Sequence, residues 1–175
     1  MDNITLRKIS THDLQDLKKI GRQTFYETFA DSNTEENINN YLEEGFSQEK
    51  LITELEDQNA EFYFAEMSGE TIGYLKLNFG DSQTELKDDK SLEIERIYVL
   101  QKFHGKKVGQ ILYEKALEVA MQKNAEYVWL GVWEKNPRAI SFYRKNGFEE
   151  FDKHLFKLGN DEQTDIMMKL KLDPK

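Results

Sequence analysis

The chain has 175 residues, of which 38% are hydrophobic, and its 33 acidic against 24 basic side chains give a formal net charge of −9. Domains commonly run to about 100–200 residues, so residues 1–175 are read as one domain with its own core. Without cysteine, and with only His12, His104 and His154 as scattered histidines, the sequence excludes disulfides, thiolate metal sites and a cysteine nucleophile, and no metal is expected.

No basic cluster offers a face to nucleic acid. The start, MDNITLRKIS, lacks the apolar stretch of a signal peptide, and no long apolar run follows. A cytoplasmic protein with no membrane partner is therefore expected. The acidity itself has two readings, plain solubility or a pocket that attracts a cation.

In chain order, Asn3 to Ile9 reads as a strand. Ser10 or Thr11 caps the helix that follows, with Asp13 placed as the acid of a capping box. Leu14, Leu17, Gly21 and Phe25 recur at helical spacing. Glu35 to Phe46 predicts a second helix and Ser47 to Asp57 a third. Phe62–Glu66 and Thr71–Phe79 predict strands around a turn at Ser68-Gly69, and Gly80–Lys90 a polar loop. Ser91–Val99 alternates as a strand, Gly105–Lys123 carries a helical apolar stripe, and Tyr127–Trp133 (YVWLGVW) is apolar on both faces like a central strand. Pro137–Asn146 predicts a helix with Asn136 as N-cap and Gly147 past its end. Strands at Phe148–Lys157 and Thr164–Leu172 complete a mixed α/β sheet.

Two segments carry chemistry. In SLEIERIYVLQKFHGKKVGQILYEKAL a strand ends, a loop with Gly105 follows, and a helix opens around Val108-Gly109. Backbone amides at a helix N-terminus bind anions, and glycine lets a phosphate approach. Lys106 and Lys107 add charge. An ordinary strand–loop–helix connection explains the same residues. The second segment, NPRAISFYRKNGF, is a capped amphipathic helix in which Phe142 and Tyr143 serve equally as core aromatics.

Taken together, the two segments resemble the GNAT acetyltransferase superfamily. The first resembles its pyrophosphate loop, Gln/Arg-x-x-Gly-x-Gly/Ala. The second resembles Asn-x-x-Ala-x-x-Phe-Tyr-x-x-x-Gly-Phe, met by Asn136, Ala139, Phe142, Tyr143, Gly147 and Phe148. His104 stands where the family has Gln or Arg, and Lys107 where it has the first glycine; a lysine in helical conformation is expected there. SLEIERIY, YVWLGVWEKN, QTFYETF…NNYLEEGF and DEQTDIMMK are similar to PaiA-type spermidine/spermine acetyltransferases.

The resemblance implies a mainly antiparallel twisted sheet flanked by helices, with a central β-α-β unit for acetyl-CoA. It places cofactor contacts at Ile97, Tyr98, Val99, His104, Gly105, Lys106, Lys107, Val108, Gly109, Gln110, Asn136, Arg138, Tyr143 and Lys145. The amide near Val99 is expected to polarise the thioester, and Tyr143 to protonate the departing thiolate. The partner implied is a small-molecule amine, with a homodimer left open.

A protonated amine needs a base. Glu93 and Glu95 are the candidates, placed by the two-residue period on the face of Ile97 and Val99; solvated or ion-paired glutamates beside Arg96 are the other reading. A polyamine acceptor would be held by the carboxylates of the first helices: Glu27, Asp31, Glu35, Glu36, Glu43 and Glu44. Acetylation of a protein N-terminus or an antibiotic amine, and a non-catalytic acetyl-CoA-binding regulator, stay open.

Overall fold

A computed structural model describes residues 3–173. Seven strands form one sheet in the order β1-β2-β3-β4-β5-β7-β6. They are β1 (Ile4–Lys8), β2 (Ala60–Met67), β3 (Glu70–Phe79), β4 (Ser91–Val99), β5 (Tyr127–Trp133), β6 (Glu149–Leu158) and β7 (Asp161–Lys171). Every neighbouring pair is antiparallel except β4 and β5. That parallel pair is joined through the helix α4 (Val108–Gln122), as a parallel connection requires. Among the described residues no helix is long and apolar enough to cross a membrane.

The remaining helices are α1 (Leu14–Phe29), α2 (Glu35–Gly45), α3 (Gln48–Glu56) and α5 (Pro137–Lys145). Local chemistry starts them. Ser10 and Asp13 form a capping box before a 3-10 turn that leads into α1. Thr34, Ser47 and Asn136 cap α2, α3 and α5, each accepting from a backbone amide of the first turn. The sheet buries an apolar cluster on each face. Leu92, Ile94, Val128, Leu130 and Met168 face α4 and α5, with Leu112, Ala116 and Ile140 packed on them. Phe62, Phe64 and Tyr74 face α1–α3, with Leu17, Phe25, Ile38 and Leu51 packed on them.

Two irregularities in β4 position the site. Its pairing with β5 runs only from Ser91↔Tyr127 to Ile94↔Leu130, although β4 continues to Val99 and β5 to Trp133. Beyond that point the strands part, and the ladder no longer engages the β5-facing edge of β4. The second irregularity is a β-bulge. Lys76 of β3 pairs with Arg96 and the next residue, Leu77, with Ile94, so Glu95 has no partner of its own.

The bulge corrects one expectation. An extra residue shifts the alternation of side chains, so Glu93 and Glu95 do not share a face with Ile97 and Val99. Ile97 and Val99 pack with the α4 cluster. Glu93 and Glu95 bond Asn78 and Lys76 on the α1–α3 side, where Tyr98 packs.

A second correction concerns the start of α4, expected at Gly105 but found at Val108. Gly105 has φ +81° and Lys107 φ +66°. Lys107 is therefore left-handed, not helical: it adopts the conformation a glycine would take at this motif position. The chain has to reverse between the 3-10 turn Gln101–Phe103 and α4, and these two residues make the reversal.

Candidate active site

Two cavities open where β4 and β5 part, one on each side of the splay. The larger, of about 820 Å³, is lined by Ile97, Tyr98, Val99, His104, Gly105, Lys107, Val108, Gly109, Gln110, Asn136, Arg138 and Tyr143, together with Phe142, Lys135 and others. The cofactor residues expected from sequence thus line one cleft, with the exception of Lys106 and Lys145. Lys106 lays its ammonium over the Phe103 ring at 5.7 Å. Lys145 lies with Pro137, Ile140, Ser141 and Arg144 on another face of α5, beside a separate depression.

The cleft is a place for an elongated anion. No side chain caps the amides that open α4, and such amides carry partial positive charge. A Cβ at Gly109 would meet nothing within 4 Å, so that turn is open on its glycine side. Lys107, Lys135 and Arg138 supply full charges in a protein that is acidic overall. His104 is held from both ends: Nε2 lies 3.0 Å from the Val99 carbonyl, and Nδ1 meets Arg138 Nη1. A carbonyl can only accept and a guanidinium can only donate, so the arrangement that satisfies both contacts has Nε2 donating to Val99 and Nδ1 accepting from Arg138. In this role it ties the end of β4 to α5.

The second cavity, of about 430 Å³, lies on the α1–α3 side. Its walls are aromatic: Phe25, Phe29, Tyr41, Phe46, Tyr74, Trp133 and Phe156 all line it. Phe25 stacks on Tyr41 at 4.3 Å between centroids, and Phe29 packs on Trp133 at 4.9 Å. Glu85, Glu93, Glu95, Asp165, Lys50 and Arg96 give it charge, and His154 lines it too. Tyr143, Asn136, Ala139, Ile97, Tyr98 and Trp133 line both cavities, so the two meet there.

The glutamates differ in chemistry. Glu93 is 3% exposed. Its oxygens accept from the Thr84 amide at 2.8 Å, the Thr84 hydroxyl at 2.6 Å and Asn78 at 3.0 Å. Burial outweighs these bonds and raises its pKa, which makes it the better base. Burial also opposes charge on Glu95, but Arg96 and Lys76, with hydrogen bonds from Lys76 and Asn78, prevail and hold its pKa near 2. Glu95 belongs to a quartet. Lys76 Nζ is 2.7 Å from Glu54 and 2.8 Å from Glu95, and Arg96 Nη2 is 3.4 Å from each. Glu95 is therefore an ion-paired strand glutamate, and a weak base. Burial raises the Tyr143 pKa well above the ordinary phenol value, so the phenol keeps its proton, as a donor must.

The carboxylates expected around the acceptor are elsewhere. Asp31, Glu35, Glu36, Glu43 and Glu44 are exposed, and none lines the second cavity. Glu27 lines the cofactor cleft and accepts from the Gln101 amide at 2.9 Å. These acids solvate the outer faces of the helices, the common role of such runs. The cavity draws its carboxylates from strands and a loop. Asp165 of β7 stands opposite Trp133 on β5 and opposite His154 on β6, and His154 pairs with Glu85. Sequence reading missed Asp165, Glu85, His154, Tyr74 and Lys135. One signal was present: β7 alternates polar and apolar residues beside a strand, YVWLGVW, that is apolar on both faces. The polar side of β7 therefore had to face a space that was not core.

The GNAT acetyltransferase family model matches residues 15–148. The chain belongs to that family. An uncharacterised N-acetyltransferase of Lactobacillus delbrueckii subsp. lactis is 38% identical over 97% of this chain and 98% of its own. A spermidine N(1)-acetyltransferase of Thermoplasma acidophilum is 30% identical over 86% of this chain and 91% of its own. Among solved structures, PaiA N-acetyltransferase from T. acidophilum in complex with coenzyme A superposes with a TM-score of 0.80 at 28% identity, covering 97% of this chain and 99% of that one. Among the described residues no group of His, Asp or Glu is arranged to hold a metal ion.

Proposed function

We propose that the protein transfers the acetyl group of acetyl-CoA directly to a primary amine of a small polycation, a polyamine such as spermidine, with Tyr143 as general acid. The observation that carries this reading is the meeting of the two cavities at Tyr143. One end suits an anionic cofactor. The other combines aromatic walls, which attract ammonium groups, with Asp165 and Glu85. Similarity to the Thermoplasma spermidine acetyltransferase supports the same acceptor.

The phosphates lie on the α4 amides with Lys107, Lys135 and Arg138, and the pantetheine arm runs along the free edge of β4 from Val99 towards Ile97. The acceptor amine arrives protonated, since an alkylammonium has a pKa of about 10.4. Glu93 takes the proton through water. The nitrogen attacks the thioester carbon, and the β4 amide near Val99 stabilises the oxyanion. The tetrahedral intermediate collapses, the C–S bond breaks and the sulfur takes the Tyr143 proton, while the second proton of the attacking nitrogen passes through water to restore the Tyr143 phenol and Glu93 gives its proton to solvent. Amide and free coenzyme A leave. No acyl-enzyme is needed, in keeping with a chain that has no cysteine.

The test compares kcat/KM for spermidine with that for a monoamine of similar length, at low and high salt. Spermidine is expected to be the better substrate, with an advantage that shrinks as salt screens the second ammonium, the Debye length being about 8 Å at physiological ionic strength. Equal use of both amines at every salt concentration rules out the polyamine reading.

A further inference from the structure

The acceptor cavity holds two hydrogen-bond donors that a polyamine cannot satisfy. Tyr74 is 1% exposed, and its hydroxyl has no hydrogen-bond partner among the described residues. Arg96 Nη1 is likewise buried and unpaired, although Nη2 reaches Glu54 and Glu95. Both residues line the cavity, and the Arg96 charge acts on the Tyr74 phenol. The other buried unpaired atoms belong to Asn33, Glu54 and Asn78, none of which lines it. Buried donors without partners are rare and costly. An ammonium only donates, so it can pair with the Tyr74 oxygen but leaves the Tyr74 proton and Arg96 Nη1 without an acceptor.

The rest of the quartet does not meet the need. Lys76, Arg96, Glu54 and Glu95 balance two positive charges against two negative ones, and Nη1 is left over. Lys50 also lines the cavity and adds a cationic donor beside Arg96. Asp165 and Glu85 provide the carboxylates that suit an ammonium. The cavity thus presents both hydrogen-bond donors and carboxylates.

We propose that Arg96 and Tyr74 form an oxygen-binding subsite, and that the enzyme acetylates a second class of acceptor, amines that also carry a carboxylate, as a basic amino acid does. This goes beyond the polyamine reading but rests on the same acceptor cavity. The carboxylate accepts from Arg96 Nη1 and the Tyr74 hydroxyl while the amine is directed towards Tyr143. A site built to hydrogen-bond a ligand group discriminates against the analogue lacking it, because its own polar atoms stay unpaired.

Cadaverine and free lysine differ only by the carboxylate, and lysine amide keeps the carbonyl without the charge. In the wild type, kcat/KM for lysine should exceed that for cadaverine by about tenfold, a typical value for one charge-assisted bond, with lysine amide between them. Tyr74→Phe should reduce the lysine-to-cadaverine ratio several-fold and raise the Tm of the unliganded protein, because it deletes a buried hydroxyl that has no partner. A ratio of one or below in the wild type, or a ratio that Tyr74→Phe leaves unchanged, overturns the subsite. So does a fall in Tm, which would mean the hydroxyl is already satisfied. Calorimetry of lysine against cadaverine on the coenzyme A-loaded protein reads the subsite without turnover. Failure to acetylate any amine would instead count against the proposed function.

Discussion

The cofactor cleft and the acceptor cavity share Tyr143 but are built by opposite means. The cleft is made largely of one continuous stretch, Ile97 to Gln110, plus the start of α5. Its chemistry is backbone chemistry: amides at a helix start, a free strand edge and a turn with two left-handed residues. The second cavity draws on α1, α2, α3, α5, β3, β4, β5, β6, β7 and the loop before β4, with short runs from β4 and β5 and scattered side chains from the rest. A phosphate loop has to be local, because neighbouring amides converge on one ligand. An acceptor site can be assembled from anywhere the sheet brings side chains together, and this one is.

Four substitutions probe that contrast. The largest effect is expected at the shared residue. Tyr143→Phe should lower kcat by about 10²–10⁴-fold, the usual range for a general acid, with little change in KM for acetyl-CoA, because the lost interaction forms in the transition state. Steady-state kinetics reads this directly. A wild-type kcat would return Tyr143 to a packing role shared with Phe142, Tyr113 and Phe148, the first and last of which it meets edge-on.

Next comes the floor of the acceptor cavity. Glu95→Gln removes one carboxylate from the buried quartet and should cost about 3 kcal/mol in urea unfolding at neutral pH. The folded pKa of Glu95 is about 2 against an ordinary 4.5. Its stabilisation is therefore complete above pH 4.5 and is lost as pH falls towards 2. Wild type and variant should converge across that window. A difference independent of pH would mean that packing, not charge, holds Glu95 in place.

How far these regions could be read from sequence follows their construction. Ser91–Val99 and Tyr127–Trp133 were bounded correctly because their alternation and apolar runs end at sharp breaks. The face of Glu93 and Glu95 was misassigned because a bulge leaves no mark on the two-residue pattern; only the pairing of Lys76 and Leu77 reveals it. Asp165, Glu85 and Tyr74 were missed because no local spacing joins residues that meet only across a folded sheet. The apolar stripe of α4 gives no sign of where its first turn begins, so the pattern extends the helix through Lys107, whereas the reversal before it is fixed by tertiary packing.

Gly109→Asp tests the cleft alone. A Cβ there meets nothing within 4 Å, so the fold should tolerate it. An acid at the start of α4 opposes a bound phosphate, and charges at helix ends are worth up to about 2 kcal/mol. Coenzyme A should bind about tenfold more weakly by calorimetry, with Tm nearly unchanged. Unaltered affinity would move the phosphates off the α4 amides.

The smallest effect is the most discriminating about the loop. Lys107 has φ +66°, a conformation that costs a residue with a Cβ about 1–2 kcal/mol. Lys107→Gly removes that cost but adds back about 0.5–1 kcal/mol of unfolded-state entropy. The net gain should be about 0.5–1 kcal/mol, or roughly 2 °C in Tm for a chain of this size. The same change removes a cation from the cleft, so coenzyme A affinity should fall about two- to fivefold, and less at high salt. The two effects have opposite signs, and their combination carries the information. Higher stability with weaker binding means that the lysine is held in a strained conformation for its charge. Higher stability with unchanged binding means that the amides and Arg138 hold the phosphates without it. A lower Tm would show that the side chain makes stabilising contacts that exceed the strain.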